Sequence, residues 1–386
     1  MAFDLNRVLQ VALTGGASDI HIKSGLPPMF RVNGELRPLK DAPRLTPEEI
    51  ARVAFSMMNQ LQVQEFKKHH DCDFAYGVPG VGRFRVNVFQ QRSAVGMVLR
   101  VIPYKVKTID QLHLPPIVKR IAEAKRGLVL VTGTTGSGKS TTLAAIIEHI
   151  NAHRSEHIIT IEDPIEFLIR DKRSVINQRE LGTDCTSYAR ALRAAMRQDP
   201  DVILVGEMRD HETIEIGLTA AETGHLVLAT LHTTDCTESI TRLVSVFPPH
   251  QQTQIRLMLS GLLTGVISQR LVPTVDGGRI PAVEAMVTTA RIRELITDEA
   301  RFREIREAIE DGVETYGMQS FDQSLMQLLN EKRISYDEAI RQSSNPDDFA
   351  LRVSGIAGGS ARGDWAPYSE EQTNSGSNPA FDFDDF

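Results

Sequence analysis

Gly133-Thr134-Thr135-Gly136-Ser137-Gly138-Lys139-Ser140 satisfies G-x-x-x-x-G-K-[ST] at every fixed position, and the apolar run Leu128-Val129-Leu130-Val131 leads directly into it. Glycines let successive backbone N–H groups turn inward as an anion nest. A following helix, expected over Thr141 to Ile150, aims the positive end of its dipole at the same place. In such a loop Gly133, Thr134, Thr135, Gly136, Ser137, Gly138 and Thr141 surround the phosphates of a nucleotide. Lys139 reaches the β- and γ-phosphates and the Ser140 hydroxyl binds Mg²⁺. The pattern points to a nucleoside triphosphate with Mg²⁺ as cofactors, and its setting between a buried strand and a helix argues against a chance match.

Cleaving a triphosphate also needs carboxylates near the γ-phosphate, to hold the metal and to orient water. Working outward, Ile158-Ile159-Thr160-Ile161 ends abruptly in Glu162-Asp163-Pro164-Ile165-Glu166, and Val202-Ile203-Leu204-Val205 ends in Gly206 and Glu207. The second has the form of a Walker B element. Strand carboxyl ends are where α/β sheets bind ligands, although a charge there can equally just begin a loop. Further on, a helix breaks at Gly224, His225 enters an apolar strand, and His232 leaves it between hydroxyl residues. The spacing alone leaves His225 either a satisfied core residue or, as neutral imidazole, a reporter of the γ-phosphate.

Around this core the organisation changes twice. Residues up to about 103 alternate short β-type runs with turns. Asp19-Ile20-His21-Ile22, Met29-Phe30-Arg31-Val32, Arg83 to Phe89 and Gly96 to Val101 read as strands of one small sheet, with Asn33-Gly34 as a hairpin turn. Thr46-Pro47-Glu48-Glu49 opens a helix expected to run to about Gln60. A small α+β domain follows from this. Pro103, Pro115 and Pro116 among scattered charges mark a connector. Beyond it, strand, glycine-rich turn, helix and strand recur, the mark of βαβ units. From about Ile292 to Val353 the chain reads as helical, with Phe321, Leu325, Leu328 and Leu329 as a core-facing stripe. Gly355 to Phe386 lacks periodicity and reads as a disordered acidic tail.

Composition sets the outer limits. The 386 residues carry 43 Lys plus Arg against 50 Asp plus Glu, a net charge of −7, and 41% are hydrophobic, enough for packed cores and for two or three domains. Neither a bilayer-spanning run nor a secretory signal is read in the sequence, so a cytoplasmic protein without membrane insertion is expected. Cys72, Cys185 and Cys236 lie far apart, which leaves no C-x-x-C half-site. The negative balance disfavours a protein that tracks nucleic-acid backbone.

Taken in order, the Gly133 loop, the acids of Thr160 to Glu166, Val205-Gly206-Glu207-Met208-Arg209-Asp210 and the stretch Ala221 to Thr233 resemble the secretion ATPases of the type II/type IV pilus superfamily. Within it they look like the PilT/PilU retraction ATPases, over nearly the whole chain to about Val353. Gly16-Ala17-Ser18-Asp19-Ile20-His21 and Arg31-Val32-Asn33-Gly34 are similar as well. The resemblance implies a RecA-like P-loop ATPase domain of α/β class with a smaller α+β, PAS-like N-terminal domain. The chain then divides as a PAS-like domain over 1–103, a linker over 104–116, the ATPase domain with its helical section over 117–354, and the tail over 355–386. It further implies a homohexamer that hydrolyses ATP to power pilus retraction. Such a hexamer would be held at the inner membrane through a platform protein, with a paralogous pilus ATPase as a further partner.

Under that resemblance Glu162 orients or deprotonates the attacking water and Glu207 holds the metal with Ser140, although the two acids could exchange roles. His225 senses the γ-phosphate. Arg85 and Arg100 match the family arginines that reach nucleotide phosphates when the small domain closes; otherwise they are charges on a solvated strand face. Lacking the tetracysteine zinc site usual in assembly ATPases, the chain is set on the retraction side rather than with pilus assembly or type II secretion. Arg291-Ile292-Arg293-Glu294-Leu295-Ile296-Thr297-Asp298 departs from the retraction pattern A-I-R-N-L-I-R-E. A main motor and an accessory PilU-like one therefore both stand. From a different class, a RecA-like nucleic-acid translocase would need a basic or aromatic-lined channel, and no basic block long enough is present.

Overall fold

The computed structural model describes residues 3–355 apart from 33 and 41. The expected tail beyond residue 355, and Asn33 of the expected hairpin turn, lie outside the described residues. In chain order the elements begin α1 (Leu5–Thr14), β1 (Asp19–Ile22), β2 (Met29–Val32), β3 (Glu35–Pro38), α2 (Pro47–Met57), α3 (Gln60–His69), β4 (Asp71–Val78), β5 (Gly82–Gln91) and β6 (Ala94–Ile102). They continue α4 (Ile117–Ala122), β7 (Gly127–Thr132), α5 (Lys139–His153), β8 (His157–Glu162), β9 (Val175–Glu180), α6 (Tyr188–Ala195), β10 (Val202–Val205), α7 (His211–Glu222) and β11 (Leu226–Leu231). The rest are α8 (Cys236–Ser245), α9 (Pro249–Leu262), β12 (Leu263–Pro273), β13 (Arg279–Val287), α10 (Ala290–Thr297), α11 (Ile305–Asp311), α12 (Val313–Tyr316), α13 (Phe321–Asn330), α14 (Tyr336–Gln342) and α15 (Pro346–Val353).

The contacts divide the described residues into two compact units, one within 1–107 and 151–206 and one over 108–150 with 207–355. In the first, six strands form a sheet in the order β3-β2-β1-β6-β5-β4. Alternation decides its faces. Phe84, Val86 and Val88 of β5 and Met97 and Leu99 of β6 are buried in the core with Leu9, Ile20 and Ile50, whereas Arg85 and Arg100 point to solvent. The capping box at Thr46 and Glu49 starts α2 as expected, but the helix stops at Met57 rather than near Gln60. Met58 and Asn59 take extended backbone, and Asn59 with Gln62 builds a second capping box that opens α3. Also in this unit, β8 pairs in parallel with both β10 and β9.

In the second unit β7 pairs in parallel with β11 on one side and β12 on the other, and β12 pairs antiparallel with β13. Every residue of β7 and β11 is buried, which is why both read as unbroken apolar runs rather than alternating ones. The stripe of Phe321, Leu325, Leu328 and Leu329 packs against Val272, Ile280 and Ala282 of β12 and β13, together with Phe349 and Val353. The C-terminal helices thus cover that end of the sheet. No described helix is long and apolar enough to cross a membrane.

Candidate functional site

The loop after β7 is shaped by backbone that side chains do not tolerate. Gly133, Gly136 and Gly138 have φ of 140°, 83° and 96°. A Cβ on Gly133 would lie 2.4 Å from the Gln269 carbonyl oxygen and 2.5 Å from Ser137 Oγ. The loop hands over to α5 at Lys139, so the helix N-terminus opens directly into it. Lys139 Nζ donates to Gly133 O at 2.8 Å and to Thr134 O at 3.0 Å, folding its charge over the rim of the nest. Ser137 Oγ is buried with no hydrogen-bond partner. A hydroxyl left without a partner, glycines with inward-turned backbone and a lysine over them fit a polyphosphate, and Ser140 at the first turn fits its metal.

Glu207 follows Gly206 and is held from two sides. Arg209 Nε pairs with one carboxylate oxygen, and His232 Nε2 lies 3.2 Å from the other. The Met208 N–H donates to Thr230 O at 3.2 Å, which fixes this acid alongside β11. Burial pushes the Glu207 carboxyl up, but the Arg209 hydrogen bond and the His232 contact outweigh it and leave the group below the usual carboxylate range. Glu207 is therefore an anion ready for a metal or its waters. The family resemblance assigns γ-phosphate sensing to His225. In the structure His225 Nδ1 lies 2.8 Å from Ala220 O and 3.1 Å from Thr223 Oγ1, where α7 ends. A carbonyl only accepts, so that contact selects the Nδ1–H tautomer. His232, which the sequence offered only as a residue leaving the strand, is the one that meets the Walker B acid. The signal was its position at the carboxyl end of β11 between a buried strand and Thr233.

In the other unit, Glu162 ends β8. Thr160 Oγ1 donates to its Oε1 at 2.6 Å, and Gln178 Nε2 donates to the same oxygen at 3.1 Å. Burial raises the Glu162 carboxyl above its ordinary value, and these two hydrogen bonds only partly offset it. Arg85 and Arg100 face each other directly across β5 and β6. Arg85 Nε lies 3.9 Å from Asp73, and Arg100 Nε donates to Asp19 at 2.9 Å. The Arg100 side chain stays 70% exposed, so most of the guanidinium faces solvent. Burial raises the Asp19 carboxyl, but Arg100 and Ser18 more than reverse this and hold it below normal. Arg83, which carries no motif in the sequence, reaches the buried carboxylate of Glu180 through Nη2 at 3.2 Å. Two residues that are far apart in sequence give no local sign of such a pair. Cys72, Cys185 and Cys236 are free thiols.

Strand, glycine nest and helix, with a fixed acid and imidazole beside them, define an α/β nucleotide-site architecture. Comparison with known proteins places it more closely. The family described as "Type II/IV secretion system protein" matches residues 1–279. The type IV pilus retraction ATPase PilT of Pseudomonas aeruginosa is 45% identical over 346 residues, 90% of this chain and 100% of that protein. The type IV pilus ATPase PilU of the same organism is 40% identical, covering 91% of each. A crystal structure of the pilus retraction motor PilT with bound ADP superposes with a TM-score of 0.82 at 46% identity, covering 89% of this chain and 98% of that one. The chain belongs to the type II/IV secretion system proteins, in their PilT/PilU family of secretion ATPases. Its fold is accordingly a RecA-like ATPase domain joined to an N-terminal domain.

Proposed function

We propose that this chain is an ATP phosphohydrolase that powers type IV pilus retraction, and so twitching motility, as a cytoplasmic homohexamer. The observation that carries the reading is the 45% identity to PilT across the whole of that protein, joined to a glycine nest whose buried Ser137 hydroxyl has no protein partner. Gly133 to Thr141 cradle the phosphates and Lys139 swings from the loop carbonyls to the β- and γ-oxygens. Ser140 and Glu207 hold Mg²⁺, which when bound neutralises charge on the β- and γ-oxygens. Glu162, kept more basic by burial, orients or deprotonates the attacking water. Arg85 and Arg100 neutralise charge on closure, and His225 and His232 report the γ-phosphate.

The same proposal takes residues 1–103 as the PAS-like domain, 104–116 as the hinge and 117–354 as the motor domain. An inner-membrane platform protein anchors the hexamer, and a paralogous pilus ATPase works beside it. A main motor is favoured over an accessory one, a reading in keeping with the 45% identity to PilT against 40% to PilU. Two measurements test this. Purified protein should release phosphate from Mg²⁺·ATP without stimulation by single-stranded DNA. Deleting the gene in its source bacterium should give hyperpiliated cells that do not twitch. Bald cells would mean assembly instead.

A further inference from the structure

We propose that Gln269 is a positioning residue for nucleotide binding. Its side-chain amide splints the phosphate loop from beneath and holds the anion nest open before nucleotide arrives. The proposal rests on the nucleotide reading above. Strand β12 runs parallel to β7 with Ser268 opposite Thr132 at the last paired position, so Gln269 falls beside Gly133, where the strand ends and the loop begins. The side chain is buried, at 3% exposure. Its Nε2 donates to Ser137 O at 2.8 Å, and its Oε1 accepts from Thr142 Oγ1, itself buried, at 2.7 Å. One amide thus ties the middle of the loop to the first turn of α5.

The need for such a group follows from the nest itself. Turning backbone N–H groups inward toward an anion turns carbonyls the other way, into the protein, where each must find a donor. Gln269 supplies that donor to Ser137. It also crowds two of the loop's positive-φ glycines. A Cβ on Gly133 would lie 2.4 Å from the Gln269 backbone oxygen, and one on Gly138 would lie 2.6 Å from its Nε2. Both amide atoms are engaged by the protein, so Gln269 acts on phosphate only through the loop. A loop already held in its binding shape pays no ordering cost when ligand arrives.

The test uses full-length protein with three substitutions. Gln269→Met keeps the length but neither donates nor accepts as an amide does. Gln269→Glu can still accept from Thr142 but presents an acceptor to Ser137 O. Thr142→Val removes the other partner. Isothermal titration with ADP, steady-state ATPase kinetics and nucleotide-free melting are read for each. For Gln269→Met and Gln269→Glu, the ADP Kd and the ATP KM should rise about tenfold, about 1.4 kcal/mol, while kcat at saturation stays within about twofold of wild type. Glu should be no better than Met despite its closer likeness. Adding Thr142→Val to Gln269→Met should weaken binding no further. Melting without nucleotide should fall, because Ser137 O and Thr142 Oγ1 lose their buried partner, and the further stabilisation given by ADP should shrink as well. Unchanged Kd and KM, a fall in kcat at constant KM, or full rescue by Glu would each overturn the assignment. If Gln269→Met does not fold, Gln269→Glu and Thr142→Val decide by the same readouts. Wild-type protein that binds no ADP and releases no phosphate would instead sink the ATPase reading.

Discussion

Nε2 of His232 lies 3.2 Å from Oε2 of Glu207, joining the residue that leaves β11 to the acid that follows Gly206. With Arg209 on the other oxygen, the carboxylate has a fixed orientation before any metal or water meets it. Groups that orient a metal-binding carboxylate typically matter by about 10- to 100-fold in affinity or activity. His232→Ala should lower kcat by about that factor and leave the melting temperature nearly unchanged, because the imidazole is exposed. Glu207→Ala should abolish turnover outright. Phosphate release at saturating Mg²⁺·ATP measures both; a His232→Ala enzyme at full rate would show the contact to be idle.

Lys139 is bonded to the carbonyls of Gly133 and Thr134, at the rim of the loop. Lys139→Ala should therefore abolish ATP hydrolysis and weaken ADP binding while the circular dichroism and melting curve remain those of a folded protein. Hydrolysis at the wild-type rate would remove the loop from the reaction.

The phosphate loop, and each strand that ends in an acid, was legible because the signals are local. An eight-position loop motif, the apolar strand before it and the acids ending two other strands are each contiguous in sequence. What stayed hidden depends on residues brought together by the fold. The sequence offers two histidines, and only the geometry assigns Glu207 to His232 and the α7 terminus to His225. Gln269 lies 132 positions from the Ser137 carbonyl it satisfies, and in the sequence it is one polar residue inside a buried strand. The break between α2 and α3 was in principle readable, since Asn59 and Gln62 repeat the capping pattern of Thr46 and Glu49. The hydrophobic run masked it.

Arg85 and Arg100 are paired across the sheet but differ in what else they hold. Arg85 lies near an exposed acid at 3.9 Å, so its loss should leave stability unchanged. Arg100 bonds the nearly buried Asp19, and Arg100→Ala should lower the melting temperature as well as the rate. If both act on the transition state, Arg85→Ala and Arg100→Ala should each reduce kcat more than they weaken ADP binding. Arg85→Ala is the cleaner probe. An equal loss of rate and binding in that variant would return Arg85 to a surface charge.

Glu284 on β13 is fully enclosed, and its carboxylate accepts the backbone N–H of Cys236 at 2.7 Å, where α8 begins. Burial drives its pKa up to about 7, with the Asp235 carboxylate adding to the rise and the Cys236 hydrogen bond opposing it. In the unfolded chain the group ionises near 4.5. Between those values the folded protein binds a proton that the unfolded chain has released, so stability falls as pH rises from about 4.5 to about 7 and levels off above. At about 1.4 kcal/mol per unit the cost reaches about 3 kcal/mol. Glu284→Gln keeps an acceptor for Cys236 and never ionises, so it should melt close to wild type at pH 5 and clearly above it at pH 8. Parallel melting temperatures across that range would mean that Glu284 is ionised in the fold at both ends. The neighbouring Arg306 charge, which already favours the anion, would then have to be holding it.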